Sequence, residues 1–140
     1  MSRKIDILLI EDDADDVELL QEALKNGGIV YDMRVLKDGS AALNHFKKPD
    51  HFPDVIVMDL NLPKVHGKEL IKEIKSHDQL RDISLLILTT SSSKEDIDFA
   101  YKSGADNYIV KPTSIEEIQN TVHAIVELGN KKFNASSPGH

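Results

Sequence analysis

Val55-Ile56-Val57-Met58-Asp59-Leu60-Asn61-Leu62-Pro63 is the stretch whose reading decides the fold. Its apolar run is too short for a helix, and a carboxylate closes it where a buried strand gives way to a loop. A charge is costly inside an apolar strand and natural at its end. Two other runs break the same way: Ile7-Leu8-Leu9-Ile10 into Glu11-Asp12-Asp13, and Leu85-Leu86-Ile87-Leu88 into Thr89-Thr90-Ser91. Three strands therefore deliver polar groups to one edge.

Helical patterns alternate with these runs. After the first strand, Val17, Leu19, Leu20, Ala23 and Leu24 recur at helical spacing behind the acidic cluster Glu11, Asp12, Asp13, Asp15 and Asp16, and Asn26-Gly27-Gly28 ends that helix. Ile29 to Leu36 reads as a second strand, less apolar and nearer an edge. Asp38-Gly39 then turns into a helix carrying Ala41, Ala42, Leu43 and Phe46, and Pro49 and Pro53 bracket a polar loop. Beyond Asp59, Gly67 precedes a helix whose Leu70, Ile71 and Ile74 share one face. Ile83 to Leu88 is the fourth strand, followed by a helix bearing Ile97, Ala100 and Tyr101 and closed by Gly104. Tyr108-Ile109-Val110 is the fifth strand and ends at Lys111-Pro112. The last helix carries the stripe Ile115, Ile118, Val122, Ile125 and Val126.

Five strands alternating with five helices predict an α/β domain whose parallel sheet is wound by right-handed βαβ crossovers. In open sheets of this kind ligands bind beyond the carboxyl ends of the strands. Glu11 and Asp12, Asp59, Thr89 and Lys111 all fall at that edge, after the first, third, fourth and fifth strands.

Composition narrows the function. The chain has 140 residues, 40% of them hydrophobic, which suits one domain with a real core, read as residues 4–128. A formal charge of -7 argues against a general nucleic-acid binder and favours cations or a basic partner. No cysteine is present, so thiolate metal sites and thiol catalysis are excluded. No run approaches the roughly 18 to 20 apolar residues that span a bilayer, and no leader follows Met1, so a cytoplasmic protein without a membrane is expected. Residues 129–140 are small, polar and aperiodic. They are expected to be a disordered tail with no output domain, and whether residues 134–140 are native is left open.

Together, Ile10-Glu11-Asp12-Asp13, Asp59-Leu60-Asn61-Leu62-Pro63, Leu88-Thr89-Thr90 and Val110-Lys111-Pro112 resemble the receiver domain of two-component response regulators, over roughly residues 4 to 128. The Thr-Thr-Ser turn and the Leu-Asn-Leu-Pro loop are similar to the single-domain regulators associated with bacterial phytochromes. That resemblance implies a flavodoxin-like (βα)5 doubly wound parallel sheet with strand order 2-1-3-4-5. It implies that Asp59 accepts a phosphoryl group from a sensor histidine kinase or a histidine phosphotransfer domain. Asp12 and Asp59 would bind Mg2+ directly, Glu11 mainly through water, and the Asn61 backbone carbonyl would complete the protein ligands. Lys111 and the Thr89 hydroxyl would contact phosphoryl oxygens, and Thr89 with Tyr108 would form the switch, read out at the fourth helix, fifth strand and fifth helix. That surface is also where a homodimer would form, and the resemblance raises the low general frequency of a cis bond before Pro112. The resemblance describes a signalling domain rather than an enzyme, phosphorylating itself from a donor and losing the group slowly. Neither the kinase nor the downstream protein is named by it.

Other readings meet the same residues. An acidic cluster before a helix serves capping, the role assigned to Asp13, Asp15 and Asp16. Ser92 and Ser93 read as caps, the histidines as surface residues, and Phe99 and Tyr101 as packing. An FMN carrier of the same fold would need a hydroxyl- and glycine-rich phosphate loop after the first strand, where Glu11-Asp12-Asp13 would repel the phosphate. An aspartate-nucleophile phosphatase would place a second Asp as general acid where Asn61 stands. A phosphorylation-independent protein-binding module would have no use for the acidic, Thr and Lys set.

Overall fold

The computed structural model describes residues 3–131. Five strands, β1 (Ile5–Ile10), β2 (Tyr31–Leu36), β3 (Val55–Met58), β4 (Ser84–Thr89) and β5 (Asn107–Val110), alternate with α1 (Ala14–Asn26), α2 (Gly39–Lys47), α3 (Gly67–Ser76), α4 (Lys94–Lys102) and α5 (Ile115–Gly129). All neighbouring strands are parallel, in the order β2-β1-β3-β4-β5. This is the flavodoxin-like order, with β2 at one edge as its weaker apolar pattern indicated. Tertiary pairing starts β2 at Tyr31 rather than Ile29, because the register runs from Ile5 opposite Tyr31.

The near-continuous apolar runs of β1, β3 and β4 are explained by burial on both faces. Alternate residues point to opposite sides of the sheet. Leu8, Ile10, Ile56, Met58, Leu85 and Ile87 join Phe46, Leu70, Ile71 and Ile74 beneath α2, α3 and α4. Ile7, Leu9, Val55, Val57 and Leu86 join Leu20, Leu24, Val122 and Ile125 beneath α1 and α5. No helix among the described residues is long and apolar enough to cross a membrane.

Local chemistry fixes where the helices begin. Asp13 caps α1 by accepting from the N–H groups of Asp15 and Asp16, Asp38 caps α2, and Ser93 and Ser114 cap α4 and α5. The cap of α3 is His66, whose Nδ1 accepts from the Lys68 N–H at 3.1 Å. Gly104 follows α4 with φ 108, a left-handed value that glycine adopts without a Cβ clash. Gly67 serves a different need: a Cβ there would lie 2.6 Å from Leu60 Cα and 2.8 Å from the Asp59 carbonyl oxygen. The start of α3 thus rests directly on the backbone that follows β3. Gly39, at the start of α2, likewise abuts the Val65 backbone, and its N–H donates to the Pro63 carbonyl at 3.0 Å.

Several expectations change. The bond before Pro112 is trans, as every peptide bond is among the described residues; this is the lower-energy isomer for X–Pro. Gly129 is not the start of a tail. It is the last residue of α5, buried against Ile5, with its carbonyl accepting from the Arg3 guanidinium at 3.1 Å. Asn130 caps that helix and Lys131 pairs with Asp106 at 3.4 Å, while 132–140 lie outside the described residues. The histidines are not all on the surface. The His45 side chain is only 10% exposed because it rides the inner flank of α2 against Phe46, and burial with the nearby Arg34 holds its imidazole below the usual range. His51 pairs its Nε2 with Asp6 at 2.7 Å.

Candidate functional site

The parallel register brings the strand ends together. The Glu11 N–H donates to the Leu36 carbonyl and the Asp59 N–H to the Ile10 carbonyl, so the residues leaving β1 and β3 stay on the ladder for one further step. The Lys111 N–H does the same with the Thr89 carbonyl at 2.8 Å. Four positions widely spaced in sequence thereby share one edge of the sheet.

Glu11 and Asp59 are buried, and Asp12 is exposed at the rim. One carboxylate oxygen from each of these three lies within 4.8 Å of the others. Such crowding of anions is unfavourable without a cation. Burial pushes the Glu11 carboxyl above its ordinary range, the Asp59 carboxylate adds to that, and the Lys111 ammonium and Asp13 N–H oppose it. The donors are hard oxygens, the type that Mg2+ and Mn2+ prefer, so the residues fit such an ion.

Lys111 supplies the positive charge. Its Nζ lies 2.7 Å from Glu11 Oε1, 2.9 Å from Asp59 Oδ2 and 2.7 Å from Asp16 Oδ2. Burial alone would push the ammonium down, but hydrogen bonds to Asp16, Glu11 and Asp59 outweigh it and hold the group above its usual range. Asp16 is the surprise, having been assigned to capping. Asp13 does the capping, and Asp16, in the first turn of α1, turns to Lys111 instead. Only the placement of α1 over the end of the sheet reveals this.

The Asp59 carboxylate is also held from its own loop, where the Asn61 N–H donates to Oδ1 at 3.0 Å. Asn61 itself is exposed. Thr89 is fully buried at the end of β4, and its Oγ1 accepts a long 3.5 Å contact from the Ser91 N–H, leaving the hydroxyl proton free to donate. Ser91 makes further bonds of its own. Its carbonyl accepts from the Tyr108 hydroxyl at 2.8 Å, and its Oγ donates to Asp96 Oδ2 at 2.6 Å. Asp96 in turn pairs with Lys68 of α3 at 2.8 Å, and Lys68 with Ser91 draws its carboxyl down to about 2. The sequence offered no sign of this centre beyond a run of hydroxyls. Tyr108 is half-buried against the α2, α3 and α4 side of the core, where burial raises its phenol above the usual range.

Comparison with known proteins adds independent evidence. Residues 7–123 match the model of the response regulator receiver domain. The chain is 36% identical over 125 residues to the probable methanogenesis regulatory protein FilR2 of Methanothrix harundinacea, covering 86% of this chain and 81% of that protein. It is 34% identical over 124 residues to response regulator Rcp1 of Synechocystis, covering 85% and 84%. A solved Mn2+-bound form of Rcp1 superposes with a TM-score of 0.78 over 88% of this chain and 92% of that one. The phosphorylated cyanobacterial phytochrome response regulator RcpA superposes with a TM-score of 0.82 at 31% identity, over 98% of this chain and 100% of that one.

Proposed function

The chain belongs to the response regulator receiver domain family, and from that premise we propose that it carries a signal as a phosphoryl group on Asp59. The donor is a phosphohistidine of a sensor kinase or phosphotransfer domain. An Asp59 carboxylate oxygen attacks phosphorus, the P–N bond breaks, and its electron pair returns to the imidazole. The observation that carries the reading is the setting of Asp59: a buried carboxylate at a strand end, bonded to Lys111 and within 4.8 Å of two more carboxylates.

Charge repulsion is the obstacle to an anionic nucleophile approaching a phosphoryl group, so positioned cations supply most of the catalysis. Glu11, Asp12, Asp59 and the Asn61 carbonyl would hold Mg2+, which when bound neutralises charge on the phosphoryl oxygens. Lys111 binds one of those oxygens as a point charge, and the Thr89 hydroxyl donates to another. The match to Rcp1, whose Mn2+-bound form is known, supports the metal assignment. Asn61 exposes no carboxylic acid beside Asp59, which favours storage of the group over the turnover of a phosphatase.

Drawing Thr89 inward loosens its contact with the Ser91 N–H, and Ser91 is already tied to Tyr108 and Asp96. These ties support a change passing to α4 through Asp96 and to β5 through Tyr108, on the surface that α5 completes. Tyr101, Val110 and Ile115 are 47%, 44% and 83% exposed there, an apolar surface for a partner or a second copy. The test is incubation with Mg2+ and acetyl phosphate or beryllofluoride, followed by mass spectrometry and NMR. Modification or occupation of Asp59 is expected, with shifts reaching Tyr108. A wild-type protein unchanged at saturation sinks the reading.

A further inference from the structure

An ammonium group has three N–H donors, and those of Lys111 are taken by three carboxylates, Glu11, Asp16 and Asp59. Glu11 and Asp59 belong to the acidic group suited to the cation; Asp16 does not. It stands on α1, which Asp13 already caps, and it pairs with no other cation among the described residues. A cavity of about 40 Å³ lies on the same side of Lys111, between α1 and α5; Asp16, Glu11, Lys111 and Thr121 border it, and the rest of its lining is apolar, Leu20, Leu88 and Ile118 among it. The Thr121 hydroxyl in it is buried and has no partner among the described residues. The flank of Lys111 on that side does not include Asp59, and Asp16 and Glu11 are the carboxylates that border it.

We propose that Asp16 is a positioning residue that holds Lys111 back from the phosphoryl group and so sets how tightly Asp59 keeps it. The inference rests on Asp59 being the phosphoacceptor. Once Asp59 carries phosphate, its negative charge moves outward onto the phosphoryl oxygens, and Lys111 must move outward to follow it. Asp16, at 2.7 Å from Nζ, opposes that movement. Its own carboxylate, one ammonium width from the phosphoryl oxygens, also repels them. Both effects have the same sign. Glu11 does not compete equally, because a bound divalent ion draws on its carboxylate.

The experiment uses the full chain with Mg2+ and titrates beryllofluoride by 19F NMR, with the 15N signal of the Lys111 ammonium followed in parallel. Asp16→Asn is expected to bind beryllofluoride about fivefold more tightly than wild type, the worth of a partly exposed ion pair. It is expected to lose phosphate more slowly by a similar factor, and its Lys111 signal should shift further on binding. Asp16→Glu should restore wild-type values. Asp15→Asn, which removes a neighbouring first-turn charge that does not reach Lys111, should leave them unchanged. Equal or weaker binding by a folded Asp16→Asn overturns the proposal. An Asp16→Asn protein that fails to fold also counts against it, since the pair would then be needed for structure. If wild type itself binds no beryllofluoride, the phosphoacceptor reading is what fails.

Discussion

The two ends of the sheet use the same residue type to opposite purposes. At the amino end, Asp54 accepts from the Asp6 N–H at 2.9 Å and pairs with Arg3, while Asp106 accepts from the Leu85 N–H at 2.8 Å and pairs with Lys131. Each carboxylate there has its own backbone donor and its own cation. At the carboxyl end, Glu11, Asp16 and Asp59 share the single cation Lys111, and Asp12 stands beside them. A carboxylate with full satisfaction is a piece of structure; carboxylates that share one cation are a demand for another. On the proposed function, the difference locates reactivity by unmet charge rather than by residue identity.

The sharpest way to break this contrast is Asp59→Asn. Phosphoryl labelling is expected to fall roughly a hundredfold or more, since the nucleophile is gone. Unfolding free energy measured in urea without Mg2+ should stay within about 0.5 kcal/mol of wild type, because relief of crowding offsets the lost pair. A Gly67→Ala variant probes the footing of the same end. Its methyl group would meet Leu60 Cα at 2.6 Å, and a loss of about 3 kcal/mol is expected by the same urea assay.

At the amino end, Asp106→Ala should cost about 2 kcal/mol by leaving the buried Leu85 N–H without its acceptor. A loss as small as that of Asp59→Asn would erase the distinction between the two ends. The smallest effect is expected from Asp96, which lies near the reactive end yet is satisfied like the other. Its carboxyl is held at about 2, below its ordinary 3.8, by Lys68 and Ser91. Its stabilisation is therefore present above 3.8 and disappears as pH falls toward 2. Asp96→Asn should cost about 1 kcal/mol at neutral pH after allowance for solvent screening, with the gap closing in acid-denaturation curves.

Strands buried on both faces, and helices with apolar stripes, were legible because period and composition report burial directly. The strand-end positions of Glu11, Asp12, Asp59, Thr89 and Lys111 followed from where those runs stop. Contacts that depend on how elements lie across one another were not legible. Asp16 reaches Lys111 across 95 residues of chain, and in sequence it is one more acid in a helix's first turn. Gly67 reads as a turn signal, whereas its role is close approach to Leu60. The burial of His45 depends on the angle of α2, and the several bonds of Ser91 depend on how the loop after β4 folds back on Tyr108.

The loop from Leu60 to His66 is gripped at both sides, by the start of α2 at Gly39 and by the start of α3 at Gly67, whose N–H donates to the Leu60 carbonyl at 2.8 Å. It has no slack. In the proposed switch, Asp59 is the fixed jaw of the site and the Thr89, Ser91 and Tyr108 side the moving one. Like an instrument with one anchored arm, the domain can register a displacement of atomic size because something in it does not give.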